Sequence, residues 1–138
     1  MPDDGEEEEP RPAGMRGKMG IKFTSEQQKV IDLRNCNVLV SAAAGSGKTA
    51  VLVQRIIQMI CDEEHPVDID RLLIVTFTNA AAAEMRERIS AGIAERLSAH
   101  PESEHIQKQA ALLHNAQITT IDSFSLFILR NHFNEIGL

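Results

Sequence analysis

The sequence predicts an α/β fold, a parallel sheet with helices on both faces. Two observations carry that expectation. Three short apolar runs, residues 38–41, 72–75 and 117–121, each lead into a stretch with helical apolar spacing, and strand–helix alternation returns successive strands parallel through crossover connections. The segments that follow the runs, residues 42–49, 76–79 and 122–124, also hold the least ordinary residues of the chain. Ligands of such sheets bind at the carboxyl ends of the strands, so the three segments are expected to share one edge.

In chain order, residues 1–20 are rich in Glu, Pro and Gly without apolar periodicity, and a disordered acidic leader is expected. Asp3, Asp4 and Glu6 to Glu9 account for the whole net charge of −6; from residue 10 onward fourteen acids meet fourteen bases. The composition therefore announces no basic nucleic-acid face. No apolar run approaches the roughly twenty residues of a membrane span, and no apolar signal region opens the chain. Cys36 and Cys61 fit neither a metal spacing nor a disulfide framework. They read as core thiols in a reducing compartment, which points to the cytoplasm.

The segment Phe23-Thr24-Ser25-Glu26-Gln27 opens a short helix. Thr24 and Gln27 have capping-box spacing, yet an amide at Gln27 can also donate to and accept from one adenine edge. Residues 38–41 read as a buried strand. Ala42, Ala43, Ala44, Gly45, Ser46, Gly47, Lys48 and Thr49 follow, and then a helix with Val51, Leu52, Ile56, Met59 and Ile60 as its apolar positions. Strand, small-residue loop and helix is the setting of a phosphate-binding P-loop. Backbone N–H groups wrap a polyphosphate only where no side chain blocks the approach, and the helix start turns its positive dipole end to the anion. Lys48 is placed to reach the β/γ-phosphates of ATP, and the Thr49 hydroxyl to hold Mg²⁺.

A polar loop with Pro66 spans residues 61–70. The run Leu72-Leu73-Ile74-Val75 reads as a strand covered on both faces. A long helix after Asn79 carries the stripe Met85, Ile89, Ile93, Leu97, with Glu84 and Arg88 paired on another face. Residues 103–114 give a further helix with Ile106, Ala110 and Leu113 inward. After the third strand, Asp122-Ser123 stands where an N-cap belongs, and a last helix runs along Leu126, Leu129, Phe133 and Ile136 until Gly137 stops it.

Four segments resemble the motifs of UvrD/Rep-type superfamily 1 DNA helicases, most closely the AddA-like helicase/nuclease branch. Residues 23–27 resemble the Q motif, whose glutamine reads adenine. Residues 42–49 are similar to the Walker A motif with Ala in first position. Residues 75–86, Val-Thr-Phe-Thr-Asn-Ala-Ala-Ala-Ala-Glu-Met-Arg, resemble motif Ia, and residues 120–124, Thr-Ile-Asp-Ser-Phe, the motif after it. The resemblance implies a RecA-like P-loop NTPase, here a partial three-layer sandwich, that uses ATP and Mg²⁺ to step 3′→5′ along DNA in double-strand break repair. It implies single-stranded DNA at Phe77, Thr78, Asn79, Thr120 and Ser123, with Phe77 stacking on a base, and, as partner, a second helicase/nuclease subunit. From the residues alone, Phe77 equally ends a buried strand, and Thr76, Thr78, Thr120 and Ser123 equally cap helices. Asp122 stands where much of the family has His, and Ala80 where the wider family has Lys.

No run of four apolar residues ends in Asp-Glu, the pair that holds Mg²⁺ and polarises water in such enzymes. Residues 21–138 are therefore expected to be the N-terminal part of a larger ATP-binding domain, inactive in hydrolysis alone and with an apolar sheet edge uncovered. Two other readings stand beside it: a self-contained small P-loop NTPase or kinase with Asp122 as its carboxylate, and an interaction module with a vestigial P-loop.

Overall fold

The computed structural model describes residues 22–45 and 47–137. The expected leader and Ser46 lie outside the described residues. Among those described, five α-helices and two strands follow one another as α1 (Ser25–Asp32), α2 (Lys48–Ile60), β1 (Leu73–Thr76), α3 (Asn79–Ala99), α4 (Glu104–Leu112), β2 (Gln117–Thr120) and α5 (Ile121–His132), with short 3₁₀ turns at Ile69–Arg71 and Leu113–Asn115. The fold is α/β, as the alternation predicts.

β1 and β2 pair in parallel, Leu73 beside Gln117 and Thr76 beside Thr120. The crossover between them is built from α3 and α4. The pleat turns the paired Ile74 and Ile118 inward, where they meet Ile57 and Ile60 of α2, Met85, Ile89 and Ile93 of α3, and Ile106 of α4 in one cluster. The predicted α3 stripe is thus the core face, with Leu97 partly buried at its end. Glu84 and Arg88 are paired at 2.8 Å on the solvent side.

Two expectations about the sheet and one about the last helix need correction. Residues 38–41 form no strand: among the described residues no backbone pairs with them, and Leu39 is 96% exposed. A strand exists through its ladder, and apolar content alone does not supply one. β1 is covered on one face, not two, since Leu73 and Val75 are 50% and 40% exposed on the other. The stripe of α5 is uncovered as well, with Leu126, Leu129, Phe133 and Ile136 all exposed.

Helix boundaries and faces differ in smaller ways. α2 buries Val51, Val53, Ile56, Ile57 and Ile60, while Leu52 is exposed and Met59 half-buried. The cause is its position between α1 and α3, which asks for two buried flanks instead of one stripe. α5 starts three residues before Phe124 and stops at His132, ahead of Gly137, because its N-cap is Thr120 and not Asp122 or Ser123. Cys36 is exposed and Cys61 only half-buried, so neither is a full core thiol. Burial nonetheless pushes the Cys61 thiol up, against the pull of Arg96.

The loop before β1 is held by one buried amide. Gln109, fully enclosed on α4, accepts the N–H of Ile69 at 2.7 Å and donates to Asp68 at 2.7 Å. Arg86 of α3 donates to the carbonyls of Leu113 and Ala116, tying the crossover to the entry of β2. These bonds set the height of β2 against β1, and so the relative position of the two strand ends.

Candidate functional site

Between α1 and the loop that opens α2 lies a cleft of about 320 Å³, lined by Thr24, Glu26, Gln27 and Val30 on one side and by Leu39, Val40, Ser41, Ala42, Lys48 and Val51 on the other. That volume is in the range of small-molecule sites. One wall is built by α1. Its first turn is locked by a capping box in which Gln27 N–H donates to the Thr24 hydroxyl at 3.2 Å and Thr24 N–H donates to Gln27 Oε1 at 2.9 Å. Arg55 of α2 donates to the carbonyl of Val30, and Gln58 to Asp32 at 2.8 Å, so α1 is fastened to the helix that follows the loop.

The other wall is the loop itself. Gly45 and Gly47 have φ of +79° and +86°, the left-handed region that a residue with a Cβ occupies only under strain. A left-handed residue followed by a right-handed one, as Gly47 is by helical Lys48, turns successive N–H groups toward one point in the manner of an anion nest. Gly47 is also the N-cap of α2 and supplies no side-chain oxygen to its first N–H groups, which are left for a ligand. Lys48, the first residue of α2, bends back so that Nζ donates to the carbonyl of Ala42 at 2.8 Å. Its ammonium thus crosses the mouth of the loop. Thr49 is exposed in the same first turn. Glycine donors, one cation and one hydroxyl form a donor set that fits a polyphosphate with a divalent cation.

A second group of sequence-predicted residues gathers at the carboxyl end of the sheet. Parallel register sets Thr76 against Thr120, so the segments that follow them are neighbours. Phe77 is 90% exposed, which removes the reading of it as a core residue. Thr78 caps α3 by accepting the N–H of Ala81 at 3.1 Å, its own carbonyl accepts from the Thr76 hydroxyl at 2.9 Å, and Asn79 is exposed at the first helical position. Thr120 is buried; it accepts the Ser123 N–H at 3.2 Å and donates to Ser123 Oγ at 2.9 Å. Asp122 falls in the first turn of α5, where the helix dipole favours an acid.

The structure therefore joins Gln27 to Lys48 across one cleft and sets Phe77, Thr78 and Asn79 beside Thr120 and Ser123 along one edge. The cleft lining includes none of the latter five. Val30 and Arg55 were not singled out by sequence reasoning. Val30 lies three positions after Gln27 on the same helix face, a signal present in the sequence; the partner of Arg55 lies 25 residues away and has no local signature.

The chain matches the family described as "UvrD/REP helicase N-terminal domain" over residues 23–138. Among curated relatives, the A-type subunit of the ATP-dependent helicase/nuclease of Clostridium novyi is 62% identical over 118 residues, which are 86% of this chain and 10% of that protein. The protein of the same name from Lachnoclostridium phytofermentans is 64% identical over 116 residues, 84% of this chain and 8% of that protein. One from Clostridium perfringens is 60% identical over 120 residues, 87% and 9% respectively. The chain spans about a tenth of the length of these relatives.

Proposed function

Since the chain belongs to the UvrD/REP helicase N-terminal domain family, we propose that it is the ATP-binding N-terminal part of a 3′→5′ DNA helicase of the AddA-like helicase/nuclease kind, acting in recombinational repair of double-strand breaks. The observation that carries this is the cleft that places Gln27 and Lys48 on facing walls. Residues 42–49 hold the phosphates through backbone N–H groups, Lys48 neutralises them after leaving the Ala42 carbonyl, and Thr49 holds Mg²⁺. Gln27 meets the adenine. The metal supplies charge neutralisation at the phosphates.

The exposed Phe77 supports the companion reading of the strand-end edge as a single-strand path. It offers a sequence-tolerant stacking surface, while Thr78, Asn79, Thr120 and Ser123 contact the backbone beside it. In the finer reading of the fold, β1 and β2 are part of a RecA-like P-loop sheet whose other strands, together with the Asp-Glu pair for hydrolysis and a second helicase/nuclease subunit, come from beyond these 138 residues. The readings as a self-contained kinase or a vestigial interaction module are not favoured, given identity of about 60% to helicase/nuclease proteins over 118 and 120 residues.

Titration of the 138-residue polypeptide with a fluorescent ATP analogue and Mg²⁺ tests the proposal. Binding is expected, without turnover, and Lys48→Ala should raise Kd at least about tenfold, the loss of a charge-assisted contact of roughly 1.5–3 kcal/mol. Superimposable curves for the two proteins would contradict the site, and steady DNA-stimulated hydrolysis would contradict the division of the ATP site.

A further inference from the structure

We propose that Arg55 is a positioning residue for the nucleotide: by tying α1 to α2 it fixes the spacing between the nucleoside-contacting wall of the cleft and the phosphate loop. The inference rests on the reading of the cleft as the nucleotide site, and it concerns the distance between the walls, whichever base is bound. Lys48, Val51, Arg55 and Gln58 succeed one another at intervals of three and four residues, which puts them on one face of α2. Lys48 stands at the mouth of the loop, and Val51 lines the cleft. One turn further, Arg55 donates to the carbonyl of Val30, and Gln58 Nε2 donates to Asp32 Oδ1 at 2.8 Å. The face of α2 that begins at the phosphate loop therefore ends in a grip on α1.

α1 depends on that grip more than a longer helix would. It is eight residues long and buries one of them, Ile31, and a helix that short is not stable by itself. Val30 and Asp32 belong to its last turn, where carbonyls lack partners within the helix and the dipole favours a cation. Two guanidinium groups serve that turn. Arg34 donates to the carbonyls of Ile31 and Leu33 at 2.6 and 2.9 Å, a cap supplied by the chain just after α1. Arg55 comes from the other wall, 25 residues from its partner. Its bond caps α1 and fixes its place at once; those of Arg34 only cap. A two-part ligand gains from both parts only where the walls already stand at its own spacing, since a loosened wall has to be ordered at each binding event. That cost falls on the nucleoside half, because the phosphate donors belong to the loop and the first turn of α2, two turns ahead of Arg55.

The experiment measures Kd for ATP and for inorganic tripolyphosphate, each with Mg²⁺, by calorimetry on the 138-residue chain. The readout is the ratio, because a general weakening of the fold moves both ligands together. Wild type should bind ATP about tenfold or more tighter than tripolyphosphate. Arg55→Ala should weaken ATP about tenfold, the loss expected of one charge-assisted bond, and leave tripolyphosphate within about twofold of wild type. Arg34→Ala removes a cap from the same turn but no link to α2, and should keep the wild-type ratio. Should Arg55→Ala fail to fold, Gln58→Leu cuts the second tie and must lower the ratio in the same sense. An unchanged ratio in Arg55→Ala, or in Gln58→Leu where it stands in, would overturn the inference and leave the nucleotide site standing. An equal fall of the ratio in Arg34→Ala would do the same, since capping alone would then account for the effect. A wild type that binds both ligands alike would also overturn it while sparing the phosphate loop. If wild type binds neither ligand, the site reading falls and takes the inference with it.

Discussion

Gln109 is the side chain on which the loop before β1 depends. Its two amide ends serve the Ile69 N–H and Asp68, so Gln109→Leu strands a buried donor and should lower stability by about 1–3 kcal/mol in urea melts; an unchanged midpoint would contradict this role. Asp68 also accepts from Lys108 at 2.9 Å. The bonds from Lys108 and then Gln109 hold its carboxyl below the usual carboxylate range, and the N–H groups of His65 and Glu64 do the same for Asp62. A depressed folded-state value means stability that is present above the ordinary carboxylate pKa of about 4 and lost as pH falls through the lower, folded value. Thermal midpoints should therefore be insensitive to these two groups near neutrality and fall below about pH 4, less steeply in Asp68→Asn. An equally steep fall in that variant would exclude Asp68 as a source. At this scale the sequence was legible where partners are close in the chain: Thr24 with Gln27 in their capping box, and the glycine turn that runs into α2 at Lys48. It was silent on Gln109, which sits three positions after Ile106 on a helix that otherwise reads as half-solvated, with a partner 40 residues away.

Among the elements, the contact of α2 with α3 turns on a glycine. A Cβ at Gly92 would stand 2.8 Å from both Cγ1 and Cδ1 of Ile57, closer than real contacts allow, and Ile57 belongs to the core cluster. Gly92→Ala gains about 1 kcal/mol of helix propensity but overpacks by roughly 1–3 kcal/mol, so it should destabilise by about 1 kcal/mol. In an Ile57→Ala background the obstruction is gone, and the same change should stabilise by about 1 kcal/mol. A double-mutant cycle in denaturant reads this inversion directly; the same sign in both backgrounds would refute the close approach. Helices α3 and α4 were legible because their apolar spacing is regular and their caps, Thr78 and Ser103, directly precede them. The start of α5 was misplaced because Thr119, Thr120, Asp122 and Ser123 all offer a capping oxygen, and only the structure shows that Thr120 is taken. α2 was half legible: a helix between two neighbours does not keep one stripe.

For the molecule as a whole, the α/β class and the parallel pairing followed from alternation, but the extent of the sheet did not. Nothing local to residues 38–41 says whether a ladder partner is at hand, and among the described residues none is. What is left includes exposed apolar side chains on both elements, Leu73 and Val75 of β1 and Phe127 and Leu129 of α5, and apolar surface of this kind favours association. Sedimentation velocity of the isolated polypeptide should show concentration-dependent self-association, relieved by Val75→Glu together with Phe127→Glu; a monodisperse wild-type monomer would contradict this. The central claim, a triphosphate gripped between α1 and the loop that opens α2, has a more direct test: a crystal structure with ATP and Mg²⁺. The account predicts phosphate density within hydrogen-bonding distance of the N–H groups at Gly45 to Thr49, with Lys48 swung from the Ala42 carbonyl onto the phosphates. A loop without ligand density, with Lys48 still on Ala42, would contradict it.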